Sequence, residues 1–321
     1  MKRLLALALG TVTLLAPQTA AAWGDGGHML VAAIAWEQMT PAARRNAGLL
    51  LRSNAAQFAK WTAGVASKDK DQVAFIAAAT WPDAIKCEKN CTYAKDRYDP
   101  DSEIPRRNMG WSDFNQHRYW HFKDIPFSTD GTATEPPPEV NAQERMELFI
   151  ATIGDGAATR SLRAYDLTWF LHLAGDVHQP LHATSRFTRG AGGDGGGNEV
   201  TVCVPVQTRC TSQTLHSFWD RAFATQEPLA IAGMAHTMVA NAAGDGLPTR
   251  NSPAAQILAP GSWIEESFGL AKAHVYTGPI GPGLGKFRLT LDYQRDAVKL
   301  LRQQVMVAGG RVANVLNKAL G

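Results

Sequence analysis

One long apolar stretch, at the N-terminus, most limits what this chain can fold into. Lys2 and Arg3 precede an apolar run over Leu4–Leu15, and small residues lead up to Ala22. This order of charge, apolar core and small side chains is typical of an export signal. A membrane anchor is the weaker interpretation, because a proline and polar residues interrupt the run too early for a spanning helix. We predict a signal peptide over residues 1–22, and no polytopic membrane protein.

The remaining composition is that of a folded, nearly neutral protein. Hydrophobic residues make up 45% of the 321 positions, which excludes wholesale disorder. Cleavage after Ala22 would remove two basic residues and no acidic ones, so the net charge would fall from +3 to +1. Such a charge does not favour a surface that coats polyanions. Any contact with nucleic acid must therefore be made locally, at a site.

Four cysteines follow the predicted cleavage point, and an even number in an exported protein favours disulfides. Three pairings are possible, and we prefer the local ones, Cys87 with Cys91 and Cys203 with Cys210. A metal site at Cys87 and Cys91 is less favoured because no histidine partner is nearby.

Apolar residues at helical spacing predict a single all-α domain over residues 23–321. The strand signal is thin: Val200–Val202 and Cys203–Val206 could form a small β-hairpin arm. The predicted helical segments are 28–39, 69–86, 142–153, 160–177, 213–243, 263–275 and 289–320.

Two pairs of histidine and aspartate recur at the same spacing. His172 and Asp176 are four residues apart, as are His216 and Asp220, so each pair lies on one face of a helix. His182 follows just beyond Pro180. A single pair of this kind is also common as a surface contact, but both pairs stand among apolar residues. Buried ionisable groups need partners or a metal, and imidazole with carboxylate suits zinc.

Six motifs occur in order and together resemble the S1/P1 nuclease family of secreted zinc-dependent nucleases. The run over residues 175–182 is quite specific, and the ordered set is highly specific. The resemblance spans Trp23–Asp220 and continues weakly to Asn317. The motifs are Trp23-Gly24-x-x-Gly27-His28, Trp81-x-Asp83, His121-Phe122-x-Asp124, Gly175-Asp176-Val177-His178-Gln179-Pro180-Leu181-His182, Asp194-x-Gly196-Gly197-Asn198 and Leu215-His216-x-x-Trp219-Asp220.

The resemblance implies a helical fold of the phospholipase C/P1 nuclease type that holds three zinc ions. Trp23 would bind through its free α-amino nitrogen and its carbonyl oxygen, so cleavage after Ala22 would create a ligand. His117 lies near His121 and could compete with it, but the motif favours His121. The implied ligands are Asp83, His121, His172 and Asp176 for the first zinc, His182, His216 and Asp220 for the second, and Trp23, His28 and the shared Asp176 for the third.

Five residues are expected to act around the implied metals, Lys86 because the family often has a basic residue there and the others because of their own chemistry. Asp83 would also orient the attacking water, Lys86 would contact phosphate, and Asn198 would hydrogen-bond a phosphate oxygen. Phe122 would stack on a base, although core packing is an equal interpretation of this residue, and Asp124 would accept hydrogen bonds from base edges.

The expected activity is endonucleolytic hydrolysis of single-stranded DNA and RNA to 5′-phosphate products, with 3′-nucleotidase activity. We expect a monomer, secreted or periplasmic, with no stable membrane association. One alternative is a zinc-dependent phospholipase C, which shares the fold but usually ends its ligand set with glutamate where this chain has Asp220. The other is an exported zinc-binding protein without activity. Residues 87–111 depart from the family as an insertion.

Overall fold

Eleven α-helices account for about half of the residues that the structure describes. The computed structural model describes residues 24–86, 111, 113–190, 192–206 and 209–321. The predicted signal peptide, Trp23 and the pair Cys87–Cys91 lie outside these ranges. The predicted mostly helical fold is confirmed. The helices are α1 (Asp25–Gln38), α2 (Pro41–Leu51), α3 (Ala55–Trp61), α4 (Lys70–Ala78), α5 (Trp81–Ala84), α6 (Ala142–Gly154), α7 (Arg160–Asp176), α8 (Leu215–Asp220), α9 (Pro228–Asn241), α10 (Pro260–Leu270) and α11 (Leu291–Leu320).

Helix α1 forms the centre of the core. It carries no charged side chain between His28 and Trp36, and a helix that is apolar all round is stable only when buried. It packs against α11, α9, α4 and α7. Among the described residues no helix is both long and apolar enough to cross a membrane. The central position of α1 carries its first-turn histidine, His28, fully into the interior.

Threonine side chains cap the N-termini of several helices. The Thr40 hydroxyl accepts a hydrogen bond from the Ala43 backbone N–H at 3.1 Å, and Thr159 does the same at the start of α7. Thr214 caps α8 by accepting from the Ser217 N–H at 3.0 Å. Such caps satisfy backbone donors that have no partner within the helix. The Thr214 cap fixes the start of a helix that carries two predicted ligands.

A small sheet joins two of the turns that carry histidines. Strand β1 (Ile125–Ser128) is parallel to β2 (Thr184–Thr188), with Ile125 opposite Thr184, and β2 is antiparallel to β3 (Gly192–Gly193). A short 3₁₀ turn precedes each of the parallel strands. The turn before β1 ends at His121, and the turn before β2 ends at Ala183. The sequence did not predict this sheet, because strands of two to five residues carry too little periodicity.

A second sheet contains the hairpin arm and a disulfide. Strand β4 (Thr201–Val206) pairs with β5 (Arg209–Thr214) on one side and with β6 (Phe287–Arg288) on the other. The predicted disulfide between Cys203 and Cys210 is confirmed. The strand boundaries were wrong, since residues 200–206 contribute one strand to the hairpin. The second strand is polar and largely exposed, so it gave no apolar signal.

Two predicted helices are interrupted, so their predicted extents were wrong. The segment 69–86 breaks after Ala78 and resumes at Trp81, because Pro82 lacks the N–H that a continuous helix would need there. The segment 213–243 begins as the end of β5 and contains two helices, α8 and α9, separated by residues 221–227. Pro228 begins α9, as proline commonly does at the first helical position.

Candidate metal centre

Eight histidine and aspartate side chains from six parts of the chain meet in one almost fully buried cluster, called here the His/Asp cluster. They are all of the predicted metal ligands except Trp23, which lies outside the described residues. The members are His28 on α1, Asp83 on α5, His121 in the turn before β1, His172 and Asp176 on α7, His182 in the turn before β2, and His216 and Asp220 on α8.

Asp176 lies at the centre of the His/Asp cluster. Its Oδ1 is 3.4 Å from His28 Nε2, and its Oδ2 is 2.9 Å from His121 Nδ1 and 3.2 Å from His172 Nε2. Asp83 Oδ1 approaches the same imidazoles, at 3.6 Å from His172 and 3.9 Å from His121. One carboxylate therefore reaches three imidazoles, which is the arrangement that a shared ligand requires.

A second group adjoins Asp176 on its other side. His216 Nε2 lies 3.3 Å from Asp220 Oδ2, and His182 Nε2 lies 3.7 Å from Asp220 Oδ1. His182 Nδ1 is 3.7 Å from Asp176 Oδ1 and so connects the two groups. The Gln179 side chain donates to Asp220 Oδ1 at 2.7 Å. Sequence reasoning missed Gln179, although it stands between two ligands in the most specific motif.

Backbone carbonyl oxygens fix three of the imidazole rings. Nδ1 of His172 lies 2.7 Å from the Ala79 oxygen, Nδ1 of His182 lies 2.9 Å from the His121 oxygen, and Nδ1 of His216 lies 2.8 Å from the Gly196 oxygen. A carbonyl oxygen can only accept, so each Nδ1 must carry the hydrogen. In the neutral ring each Nε2 then keeps its lone pair, and it is Nε2 that lies beside the carboxylates.

The His28 ring packs closely among the described residues without a hydrogen bond that fixes it. Its ring stacks on His172 with centroids 3.8 Å apart, and neither ring nitrogen has a hydrogen-bond partner among the described residues. A Cβ on residue 175 would lie 2.6 Å from His28 Nδ1, so Gly175 allows α7 to approach α1 this closely. Burial and the neighbouring His172 lower the pKa of His28 to about 3. The ring is therefore neutral, with a free lone pair.

The charges of the cluster favour a bound cation. Burial, with Lys86 nearby, lowers the pKa of His121 to about 3. Burial alone would also lower the pKa of His182, but Asp176 and Asp220 outweigh it and raise that pKa to about 9. Burial would raise the pKa of Asp176, yet His172 and His182 hold it well below its usual range. Asp176 is thus an ionised carboxylate between two neutral imidazoles, His28 and His121, and two imidazoles whose pKa its charge raises, His172 and His182.

Lys86 lies at the edge of the His/Asp cluster. Its Nζ is 2.6 Å from Asp83 Oδ1, and its side chain is 19% exposed, compared with 5% for Asp83. Burial would raise the pKa of Asp83, but Lys86 and the nearby imidazoles keep it below its usual range. The lysine side chain is therefore partly exposed, whereas the carboxylate that it contacts is buried.

The two predicted base-binding residues follow His121 directly. Phe122 is half-buried against the core and retains some exposure. Asp124 is also half-buried, and burial raises the pKa of its carboxyl to about 7, with His182 opposing the shift and Asp194 adding to it. Both residues are close in sequence to the cluster and partly open to solvent, as a base-binding role requires.

Asn198 lies on the glycine-rich loop beside the second group. Its side chain is exposed and donates to the Gly195 carbonyl oxygen at 2.8 Å. The neighbouring Gly196 carbonyl accepts from His216. The predicted phosphate contact of Asn198 stays a prediction, supported by its place on the loop that borders a ligand.

The start of the described chain lies against the second group. The Gly24 backbone N–H donates to the carbonyl oxygen of Asp220 at 2.9 Å. This bond places Gly24, the first residue of the described ranges, at the end of α8 that carries the predicted ligand Asp220.

Two other histidines have separate partners outside the cluster. His117 Nε2 lies 2.7 Å from Asp113 Oδ2, and its ring stacks on Trp120. His178 Nδ1 donates to the Ala174 carbonyl oxygen at 2.7 Å, and its Nε2 faces the Arg311 guanidinium at 2.8 Å. His117 and His121 were the two candidates for one ligand position in the sequence, and the structure brings His121 into the His/Asp cluster.

The donor set fits metal ions. Within the described residues, three groups could each hold an ion, with ligand atoms no more than 4.8 Å apart, and two of the groups share His172. His28 Nδ1 and Nε2, His121 Nε2 and Asp176 Oδ1 are buried atoms without hydrogen-bond partners. Unpaired buried polar atoms are unfavourable, and metal coordination would satisfy them. Nitrogen and oxygen donors without thiolate suit zinc and similar divalent metals.

Comparison with known proteins gives one match across nearly the whole chain. The model of the S1/P1 nuclease family matches residues 23–321. No curated protein matches. The family is one of metal-dependent, generally secreted hydrolases that act on nucleic acid.

Proposed function

Because the chain belongs to the S1/P1 nuclease family, we propose that it is a zinc-dependent endonuclease for single-stranded DNA and RNA that leaves 5′-phosphate products and also acts as a 3′-nucleotidase. The observation that carries this proposal is the meeting of eight histidine and aspartate side chains around Asp176. Burying a cluster of this composition costs free energy, and a bound metal would offset that cost. A purely structural site would be closed, whereas Lys86 and Phe122 at this site are both partly exposed.

The proposed cofactor is three zinc ions. The first would be held by Asp83, His121, His172 and Asp176, and the second by His182, His216 and Asp220. The third would be held by His28, by Asp176 as a shared ligand, and by the α-amino nitrogen and carbonyl oxygen of Trp23. Support comes from the distances around Asp176, from the available lone pairs of the Nε2 atoms and from the anchoring of Gly24 at Asp220. When bound, zinc would lower the pKa of water and neutralise phosphate oxygens.

The chain's own residues would position the phosphate and the water. Lys86 offers a cationic Nζ beside Asp83, which suits it to a non-bridging phosphate oxygen. The Asp83 carboxylate, kept ionised by Lys86, can accept a hydrogen bond from the attacking water. Asn198 offers an exposed amide on the loop next to His216, where it can donate to a second phosphate oxygen.

The preference for single strands would come from base binding. Phe122 offers a partly exposed ring on which any base can stack, and Asp124 offers hydrogen-bonding oxygens. A base stacked in a duplex cannot reach such a pocket without being unstacked. The protein would act as a monomer with no stable membrane association. Export would be followed by cleavage after Ala22, which places the enzyme outside the cytoplasm and frees the Trp23 amine.

The test compares two histidine variants on two kinds of substrate. His216→Ala removes a proposed ligand, whereas His236→Ala removes an exposed histidine, 72% open to solvent, whose nearest acidic partner is Glu37. We expect wild-type protein and His236→Ala to cleave single-stranded DNA and RNA to 5′-phosphate ends, and His216→Ala to lose about 10²-fold or more in kcat/KM. Cleavage of phosphatidylcholine micelles without cleavage of nucleic acid would instead indicate a phospholipase. No activity on either substrate in any metal state would indicate a zinc-binding protein.

A further inference from the structure

The glycine-rich loop between β3 and β4 bears directly on His216. The Gly196 carbonyl oxygen accepts the Nδ1 hydrogen of His216 at 2.8 Å, and the Gly197 carbonyl oxygen accepts from the His216 backbone N–H at 3.2 Å. These two bonds fix both the ring and the main chain of the histidine. The orientation of this loop therefore decides where His216 Nε2 points.

Gly196 can adopt the required conformation only because it has no side chain. Its φ is +61°, in the left-handed region, and a Cβ there would overlap the Leu181 carbonyl oxygen. Gly195, Gly196 and Gly197 offer no side chain that could anchor this part of the loop, and the buried Val200 lies at the far end of the loop, next to β4. A residue outside the three glycines must therefore hold the carbonyl in place.

Asp194 supplies that anchor. It is fully buried, and its Oδ1 accepts from the backbone N–H groups of Arg186 at 2.9 Å and Gly197 at 3.2 Å. Its Oδ2 accepts from the Tyr276 hydroxyl at 2.8 Å. One carboxylate thus binds the loop to strand β2 and to the segment that follows α10. Asp194 is not a member of the His/Asp cluster.

Arg186 completes the anchor from β2. Its guanidinium donates to the carbonyl oxygens of Gly281 at 2.9 Å and Gly283 at 2.7 Å and lies 4.6 Å from the centre of the Tyr276 ring. Its Nε is 3.8 Å from Asp194 Oδ2, so it offsets the buried negative charge. The Tyr276 side chain is therefore held by Arg186 at its ring and by Asp194 at its hydroxyl.

We propose that Asp194, held by Tyr276 and Arg186, is a positioning residue that aims His216 through the Gly196 carbonyl. The inference rests on the proposed metal-binding function, because its effect is exerted on a proposed zinc ligand. Partners that orient ligating histidines typically change metal affinity by about 10–100-fold when they are removed. Removal of Asp194 or of the Tyr276 hydroxyl should weaken zinc binding at the second group and leave the other ligands in place.

The test is a double-mutant cycle on zinc affinity. Tyr276→Phe removes the hydroxyl and keeps the ring, and Asp194→Asn removes the charge. Zn²⁺ dissociation constants are measured by competition with a chromophoric chelator, in wild-type protein and in the His216→Ala background. We expect Tyr276→Phe to weaken the second-group zinc about 10-fold and Asp194→Asn about 10–100-fold. In the His216→Ala background neither change should weaken zinc binding further.

Tyr165→Phe is the matched control. Its hydroxyl also donates to a buried aspartate, Asp113, at 3.3 Å. The Tyr165→Phe variant should leave the affinity of the second group for zinc unchanged. Should Asp194→Asn fail to fold, the Tyr276→Phe cycle decides alone.

Three results would overturn the inference. Unchanged zinc affinity in Tyr276→Phe, with loss in His216→Ala, would remove the positioning role and leave the proposed function intact. Equal loss with and without His216 would show a general effect on folding. Unchanged zinc binding in His216→Ala itself would overturn the proposed metal site together with the inference.

Discussion

At the scale of single residues, the His/Asp cluster depends on backbone oxygens as much as on its ligands. His172, His182 and His216 each give their Nδ1 hydrogen to a carbonyl oxygen, which leaves Nε2 for a metal. The ligand types and spacings could be predicted from the sequence, because helical i, i+4 pairs are local. The carbonyl partners could not, because Ala79 and His121 are far from their histidines in the chain.

Substitutions of Phe122 test whether its ring stacks on a base or packs in the core. In zinc-loaded protein, Phe122→Leu keeps most of the packing volume and removes the aromatic face, whereas Phe122→Trp keeps an aromatic face. If the ring stacks on a base, Phe122→Leu should raise the Kd for a single-stranded oligonucleotide about 10-fold, because stacking contributes about 1–3 kcal/mol per base. Phe122→Trp should bind as wild type does. Equal affinity of all three proteins, measured by fluorescence anisotropy, would assign the ring to the core.

The raised pKa of Asp124 predicts that the stability of the protein depends on pH. Burial raises the pKa of its carboxyl from an ordinary 3.8 to about 7 in the folded protein. Ionised Asp124 therefore destabilises the fold fully above pH 7, and this effect disappears as the pH falls toward 4. In chelator-treated protein, Asp124→Asn should raise the free energy of unfolding at pH 8 by a few kcal/mol, because each tenfold change in an acid dissociation constant corresponds to about 1.4 kcal/mol. At pH 4 the gain should vanish, and an equal gain at both pH values in denaturant titrations would contradict this account.

At the scale of elements, breaks and short strands place the ligands. Helix α4 ends at Ala78, and the Ala79 carbonyl that follows accepts from His172. Parallel pairing of β1 with β2 brings together the turns that carry His121 and His182. The proline that interrupts the predicted helix is visible in the sequence. The parallel pairing is not, because the two strands lie about 60 residues apart and each is very short.

The disulfide stabilises the hairpin that leads into α8. Cys203 and Cys210 close a loop with a sequence separation of 7, and the chain-entropy relation gives about 2.5 kcal/mol for a loop of this size. Replacing both cysteines by serine should lower the melting temperature by about 4 °C. Zinc content and activity should persist, because Thr214 still caps α8. Loss of zinc together with the disulfide, at temperatures where circular dichroism shows a folded protein, would contradict a purely stabilising role.

At the scale of the whole molecule, a nearly neutral chain concentrates its chemistry in one place. The charge expected after cleavage is small, so attraction for phosphate would come from the metal centre and Lys86 instead of a basic surface. Gly24, the residue before helix α1, is bound to Asp220 of the His/Asp cluster. With Trp23 as a proposed ligand, a single cleavage after Ala22 would link export to assembly of the active centre.

An N-terminal extension tests that link. Mature protein that begins at Trp23 should bind one more zinc ion than protein that retains Ala22, because an amide nitrogen has no lone pair to offer a metal. The extended form should also lose most of its activity. One alanine added after Gly321 is the control and should change neither property. Full zinc content and full activity in the extended protein would exclude the Trp23 amine as a ligand.

The most direct test of the central claim is to count zinc and measure cleavage on the same sample. Native mass spectrometry of protein that begins at Trp23 should show three zinc ions per chain. Chelation should abolish cleavage of single-stranded DNA, and added Zn²⁺ should restore it with 5′-phosphate ends. Full activity in protein shown to be free of metal, or no activity in protein shown to hold all three ions, would contradict the account.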